Sequence, residues 1–174
     1  HRAIARLVKG NDFASPSADE VWLSFAPMWR DASTLEVWAP LLNGGTLAIY
    51  PSEFQSIEQF ETVLKQFGVT SLWLTAGLFN TIVDQKVEAL RGVKQLLAGG
   101  DVLSAAHIRK ALDALPGTEL INGYGPTENT TFTCCYRIPR DWPENRAIPI
   151  GRPIKNTRVM ILDERMQMTP AGVP

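Results

Sequence analysis

Five short apolar runs, at residues 21–25, 46–50, 70–74, 93–97 and 118–121, punctuate this chain, and a stretch with helical spacing separates each from the next. That alternation restricts the fold more than any other feature. Consecutive parallel strands need a crossover of roughly a dozen residues or more, which a helix supplies. The predicted architecture is therefore α/β, a largely parallel β-sheet flanked by helices. The crossover helices carry their own punctuation. Residues 31–42 place Leu35, Trp38, Leu41 and Leu42 on one stripe and stop at Gly44-Gly45, with Pro40 inside as an expected kink. Ser56-Ile-Glu-Gln59 has the form of a capping box and opens a helix running to Gly68. Thr75 caps a helix over 75–83, and Ser104 one over 105–115 that Pro116-Gly117 ends. Strands are also expected at 130–136 and 158–162, with a polar, proline-containing loop at 137–145 between them.

Composition narrows the function classes. With 174 residues the chain can bury a sizeable core as one domain. A net charge of −1 leaves no basic footprint, so no nucleic-acid partner is expected. No apolar stretch approaches the roughly 20 residues that span a bilayer, so no membrane partner is expected either. The two cysteines, Cys134 and Cys135, are adjacent and make neither a disulfide framework nor a good metal site. A reduced, cytoplasmic location is the expectation.

Several predicted strands run into residues that suit ligands: Trp73, Gly99-Gly100 and Asn122. In open parallel sheets, sites gather beyond the carboxyl ends of the strands, so these positions point to one crevice. The most specific stretch is Leu120-Ile-Asn-Gly-Tyr-Gly-Pro-Thr-Glu128. Gly123 and Gly125 permit close approach to the main chain. Asn122 can offer an amide edge and Tyr124 an aromatic face to a purine. Thr127 can donate to a phosphate oxygen, and Glu128 is a hard oxygen ligand suited to Mg²⁺. A plain β-turn with a buried tyrosine is the structural alternative for Gly-Tyr-Gly-Pro alone.

This string resembles the nucleotide-binding motif of adenylate-forming enzymes, most closely the amino-acid-activating adenylation domains of nonribosomal peptide synthetases. Three further blocks follow the family's order and spacing: Trp29-Arg-Asp-Ala-Ser-Thr-Leu-Glu-Val-Trp38 with Leu41-Leu-Asn-Gly-Gly45, Leu96-Leu-Ala-Gly-Gly-Asp101, and Ile148-Pro-Ile-Gly-Arg-Pro153 with Asn156-Thr-Arg-Val-Met-Ile-Leu-Asp163. The resemblance covers nearly the whole chain. It implies that residues 1–174 are a partial adenylation domain, the core substrate- and nucleotide-binding subdomain, with the family's upstream phosphate loop and its C-terminal lysine-bearing domain outside it.

The resemblance also implies roles. Asp31 would pair with the α-ammonium of an amino acid, although a carboxylate at a helix start is equally a good N-cap. Ala32, Leu35, Trp73, Leu97, Gly99, Gly123, Thr131 and Phe132 would line the side-chain pocket, each of which is by itself an ordinary core residue. A lining without charge would leave a charged or amide side chain unpaired at a cost of a few kcal/mol. The expected substrate is therefore a branched aliphatic amino acid, valine before isoleucine or leucine. Gly99 and Gly123 are expected to leave the space, and Trp73, Leu35 and Phe132 to take it up.

Gly100, Asn122 and Tyr124 would hold adenine, Thr127 the α-phosphate, and Glu128 the Mg²⁺. Thr127 and Glu128 are thus the candidate catalytic residues, with ATP and Mg²⁺ as the implied nucleotide and ion. The implied partners are the remaining adenylation subdomains and a peptidyl carrier domain whose phosphopantetheine thiol takes the aminoacyl group. The isolated segment is expected to be inactive.

Two departures from the family pattern stand out. Arg30 occupies the position before the recognition aspartate where the family has an aromatic residue. The favoured reading has Arg30 facing solvent and Trp29 taking the aromatic role; an Arg30 that touches the substrate carboxylate or phosphates is the other. Pro40 falls within the helix that carries Ala32 and Leu35. An acyl- or aryl-CoA ligase fragment is the alternative enzyme, and Asp31 argues against it because a fatty acid has no ammonium. A non-catalytic amino-acid-binding subdomain is the alternative from another class. A nicotinamide-binding domain is excluded, since no predicted strand leads into G-x-G-x-x-G.

Overall fold

A computed structural model describes residues 1–51, 53–170 and 172. The strands and helices alternate as the apolar runs require: α1 (Arg2–Val8), β1 (Val21–Ser24), α2 (Ala32–Asn43), β2 (Thr46–Ile49), α3 (Ile57–Phe67), β3 (Ser71–Thr75), α4 (Ala76–Lys86), β4 (Gln95–Gly99), α5 (Ala105–Ala114), β5 (Glu119–Tyr124), β6 (Cys134–Arg137) and β7 (Arg152–Pro153). They form a seven-stranded sheet in the order β2-β1-β3-β4-β5-β6-β7. The first five strands in that order pair parallel, while β5–β6 and β6–β7 are antiparallel.

The local signals set the helix boundaries. Ser56 caps α3 by accepting from Gln59 N, and Gly68 ends it with φ 60°. Thr75 accepts from Leu78 N, and Ser104 from His107 N. Pro40 lies within α2, whose helical run continues to Asn43.

Strand residues alternate between two cores with period two, as pleating demands. Leu23, Leu72, Leu74, Leu96, Ala98 and Leu120 face the layer formed by α3, α4 and α5. Trp22, Trp73, Leu97 and Ile121 face the layer formed by α1 and α2. This second, smaller core holds several expected pocket residues.

Three expectations need correction. The buried stripe of α2 runs through Ala32, Leu35, Glu36 and Ala39, whereas Trp38, Leu41 and Leu42 are exposed. The strand expected at 130–136 starts only at Cys134, because Thr130 and Thr131 have φ of 58° and 63° and cannot continue an extended run. No strand forms at 158–162. That segment is exposed and makes a single antiparallel bridge, Leu162 to Met168, so its apolar residues have no sheet edge or core to satisfy them.

At the amino ends of the strands, buried Glu20 accepts from Thr70 Oγ1 and from Ser71 Oγ at 2.8 Å, and Gln95 Nε2 donates to Ser71 Oγ at 3.3 Å. This network fills the amino ends and reaches on to Ser15, whose N donates to Gln95 Oε1 at 2.6 Å. The opposite end is the one left for a ligand.

Candidate functional site

The strand order changes direction between β1 and β3, since β2 lies on one side of β1 and β3 to β5 on the other. In open sheets the crevice at such a switch point, beyond the carboxyl ends, is the usual binding place. The residues expected from sequence to bind a ligand lie at or beyond those ends or on α2, except Trp73 and Leu97, which sit mid-strand on β3 and β4.

The loop after β1 delivers Asp31. Its course is set by hydrogen bonds: Arg30 N donates to Pro27 O at 2.8 Å, and Ser33 Oγ donates to Arg30 O at 2.7 Å. Glu36, buried on α2, accepts through Oε2 from Phe25 N and from Ala26 N, both at 2.9 Å. A carboxylate stripped of water is hard to ionise, and burial raises the Glu36 pKa to about 7 although the two N–H groups pull it down. Asp31 occupies the N-cap position of α2, yet its side chain makes no capping hydrogen bond. Half-buried and not needed by the helix, that carboxylate is available to an external cation. Arg30 is exposed, in keeping with a solvent-facing side chain. Trp29 is 85% exposed, so its ring is not packed into the site.

Pairing register brings the residues expected to line the side-chain pocket together. Trp73, Leu97 and Ile121 lie abreast on β3, β4 and β5, and Thr75, Gly99 and Gly123 form the next row toward the carboxyl ends. Odd-numbered residues here face α2, so Trp73, Leu97, Gly99 and Gly123 share a face with Leu35. Leu35, Leu97 and Phe132 are buried in one cluster, with Trp73 packed against it. Ala32 and Thr131 are buried as well, and Thr131 Oγ1 donates to Asp31 O at 2.7 Å. The indole N–H of Trp73 is buried with no partner among the described residues.

The two glycines do not leave open space. A Cβ on Gly99 would lie 2.1 Å from the Gly123 carbonyl oxygen, and one on Gly123 would lie 2.3 Å from the Phe132 ring. Their missing side chains admit the neighbouring strand and Phe132 instead. Gly99→Ala therefore pushes β4 off β5. It should destabilise the domain by about 1–3 kcal/mol, the usual range for overpacking, read as a lowered melting temperature; an unchanged melting temperature would refute the close contact.

Thr130 and Thr131 have left-handed backbones. For β-branched residues this is a genuine outlier, and each costs on the order of 1–3 kcal/mol. Their neighbours hold the turn: Asn129 Nδ2 donates to Thr133 Oγ1 at 2.6 Å, and Thr133 N donates to Tyr124 O at 2.8 Å. Arg6, on α1, donates to the carbonyls of Asn129, Thr130 and Phe132.

The residues expected on the nucleotide side follow at the carboxyl ends of β4 and β5. Gly100 has φ 79°, a conformation that suits glycine, and follows the end of β4. Asn122 is buried, and its Nδ2 donates to Pro149 O at 2.9 Å, joining two of the sequence blocks in space. Tyr124 is 48% exposed at the end of β5, so its ring face is available and the buried-tyrosine alternative does not hold. Thr127 and Glu128 lie exposed in a 3₁₀ turn. Among the described residues no group of three or more His, Cys, Asp or Glu could hold a metal on its own. Glu128 fits the other pattern, a single carboxylate that shares Mg²⁺ with substrate phosphates. Burial pushes up the pKa of the thiols of Cys134 and Cys135.

The sequence profile of the family described as AMP-binding enzyme matches residues 1–174. The chain belongs to that family. Its curated relatives include a linear gramicidin synthase of Brevibacillus parabrevis, 49% identical over 99% of this chain and 2% of the relative. Gramicidin S synthase 2 of Brevibacillus brevis is 37% identical over 100% of this chain and 4% of the relative. Among solved structures, holo-PA1221, an NRPS protein containing adenylation and PCP domains bound to a vinylsulfonamide inhibitor, superposes with TM-score 0.93 at 43% identity, over 97% of this chain and 29% of that chain. The Klebsiella oxytoca NpsA N-terminal subdomain in complex with 3-hydroxybenzoyl-AMSN does so with TM-score 0.89 at 28% identity, over 99% and 44%. The chain thus spans a small part of its relatives' length, and within this family it corresponds to part of the N-terminal subdomain of a nonribosomal peptide synthetase adenylation domain.

Two residues of this AMP-binding fold escaped the sequence reading. Glu36 lies three and four residues after Ser33 and Ala32 and three before Ala39, on the buried face of α2. A charge at a core-facing position was the available signal. Arg6 gave none, because its partners lie more than 120 residues away.

Proposed function

We propose that this chain is the amino-acid- and ATP-binding portion of an adenylation domain that forms aminoacyl-AMP from a branched aliphatic amino acid, valine first. The observation that carries the reading is Asp31, a helix-leading residue whose carboxylate caps nothing and whose main-chain carbonyl accepts from Thr131, one of the uncharged residues expected around the substrate side chain. An ammonium is the complement to such a group, and a charge-assisted hydrogen bond of this kind contributes about 1.5–3 kcal/mol.

Each role is the one that the family resemblance implies for that position. Asp31 would fix the ammonium, which orients the substrate carboxylate toward the nucleotide. Leu35, Trp73, Leu97 and Phe132, backed by Ala32, Gly99, Gly123 and Thr131, would enclose the side chain. Gly100, Asn122 and Tyr124 would hold adenine, and Thr127 would donate to the α-phosphate. One carboxylate oxygen of the substrate attacks the α-phosphorus, and the bond to the bridging oxygen of the β-phosphate breaks. Pyrophosphate leaves with that electron pair. Mg²⁺, held by Glu128 and phosphate oxygens, would neutralise charge on the phosphates. Positioning and charge neutralisation supply the acceleration in such a transfer. The aminoacyl group would then pass to a phosphopantetheine thiol on a carrier domain.

The test is amino-acid-dependent ATP–pyrophosphate exchange by a complete adenylation domain containing this chain. The panel holds valine, isoleucine, leucine, phenylalanine, aspartate and a short fatty acid. Valine or isoleucine should lead, with no more than about a 150-fold gap between them, since one methylene contributes about 1–3 kcal/mol. Exchange led by aspartate would mean that the unpaired Trp73 N–H recruits an acceptor, and the aliphatic reading falls. Turnover with the fatty acid alone would mean that Asp31 recognises nothing, and the acyl ligase reading replaces this one.

A further inference from the structure

We propose that Arg6 is a positioning residue for amino acid recognition, a clamp that holds the left-handed Thr130–Thr131 turn against the pocket. The inference rests on the adenylation reading above and adds a residue that lies outside every block the resemblance rests on. The Arg6 guanidinium donates through Nη1 to Phe132 O at 3.1 Å and to Thr157 Oγ1 at 2.6 Å. Through Nη2 it donates to Asn129 O at 2.5 Å and to Thr130 O at 3.2 Å. Three backbone carbonyls of one short turn thus converge on a single planar cation. A guanidinium presents several N–H groups in a fixed fork, which makes it suited to this task.

The turn needs such a clamp. Thr130 and Thr131 are β-branched and both left-handed, and neither is glycine or asparagine, the residues that adopt this backbone readily. Relaxing it would swing two pocket groups. Thr131 would leave the Asp31 carbonyl, to which its hydroxyl donates, and the Phe132 ring would leave the face of Gly123. Both changes fall on the amino acid side. Two adenine-side residues stand apart, Asn122 held by β5 and by Pro149 and Gly100 following β4, while Tyr124 meets the turn through its main-chain oxygen, which accepts from Thr133 N at 2.8 Å. Arg6 takes no carboxylate partner among the described residues, and burial lowers its pKa below the usual arginine value. An arginine placed there for an ion pair would show the opposite.

Two measurements on the complete adenylation domain test the clamp. In Arg6→Met the backbone amides of residues 129–133 should exchange hydrogen at least about tenfold faster than in the wild type, while those of β3 and β4 stay unchanged, because local opening is set by local contacts. In pyrophosphate exchange the KM for the amino acid should rise about tenfold, with the ATP KM moving less than about threefold, the pattern of a lost ground-state contact to one substrate. Arg6→Lys, which keeps the charge but offers no fork, should fall between the two and carries the same comparisons if the methionine variant does not fold.

A purely structural arginine would lower the active fraction and hence kcat alone. A loss confined to kcat, or unchanged exchange at 129–133, overturns the proposal. If the wild-type domain activates no amino acid, the adenylation reading falls instead. The exchange measurement still decides whether Arg6 clamps the turn.

Discussion

Asp31→Ala should abolish most amino acid activation and leave the fold intact. The two halves of that result come from different observations. Replacing a capping aspartate with alanine typically costs about 1 kcal/mol of stability. Here the Asp31 side chain makes no capping hydrogen bond, so the melting temperature should move by less than about 1 °C, below the shift of about 2–4 °C that the loss of such a cap brings in a domain of about 150–250 residues. Activation is another matter. Losing a charge-assisted bond to an ammonium costs roughly 10- to 150-fold. The loss grows when a bound ammonium is left desolvated without a partner.

We expect kcat/KM for valine to fall by about 100-fold or more, on the ground that the pair is present in both bound and transition states. Asp31→Asn should lose nearly as much, because it keeps size and hydrogen bonding but removes the charge. A variant that keeps activity but melts several degrees lower would show that Asp31 is a cap after all.

Local chemistry was readable from sequence, and distant geometry was not. The caps at Ser56, Thr75 and Ser104 depend on the two or three residues that follow each, and all three form as expected. The alternation of strands and helices predicted the sheet, and the nonapeptide at 120–128 predicted where the β5 turn would lie. The face of α2 was misjudged because Trp38, Leu41 and Leu42 are apolar, but the helix meets the sheet through Ala32, Leu35 and Ala39. Which side of a helix is covered depends on its neighbours and not on its own hydrophobicity alone.

The strand expected at 158–162 failed for a related reason: alternation without an available edge to pair with yields only the Leu162–Met168 bridge. The turn at Thr130–Thr131 was invisible because left-handed backbone usually announces itself through glycine or asparagine. The reading of Gly99 and Gly123 as empty space went wrong for the same reason as Arg6 went unnoticed. What fills each place comes from another strand, helix or loop.

Glu36 shows how a buried charge outside every expected site role can make the stability of the loop before Asp31 depend on pH. Its carboxylate, fully buried, accepts the N–H groups of Phe25 and Ala26 at the root of the loop that delivers Asp31. No titratable or charged side chain faces it as a partner among the described residues, and burial is the dominant cause of its high pKa. The native value, about 7, lies above the 4.5 of a solvated glutamate. Between those values the folded chain keeps a proton that the unfolded chain has released. The Glu36 contribution is therefore full below about pH 4.5 and is lost as pH rises through about 7. Its size is on the order of 3 kcal/mol, since each tenfold change in proton affinity corresponds to about 1.36 kcal/mol.

Glu36→Gln keeps an acceptor oxygen for the two N–H groups and cannot titrate. The wild type should thus lose stability relative to Glu36→Gln between pH 5 and pH 8, with the gap levelling off above pH 8. Every other carboxylate is common to both proteins and cancels in that difference. Melting temperatures of the two complete domains across this range are the check. Parallel curves would mean that Glu36 is ionised throughout, and the loop before Asp31 is then anchored by a charge that never leaves it.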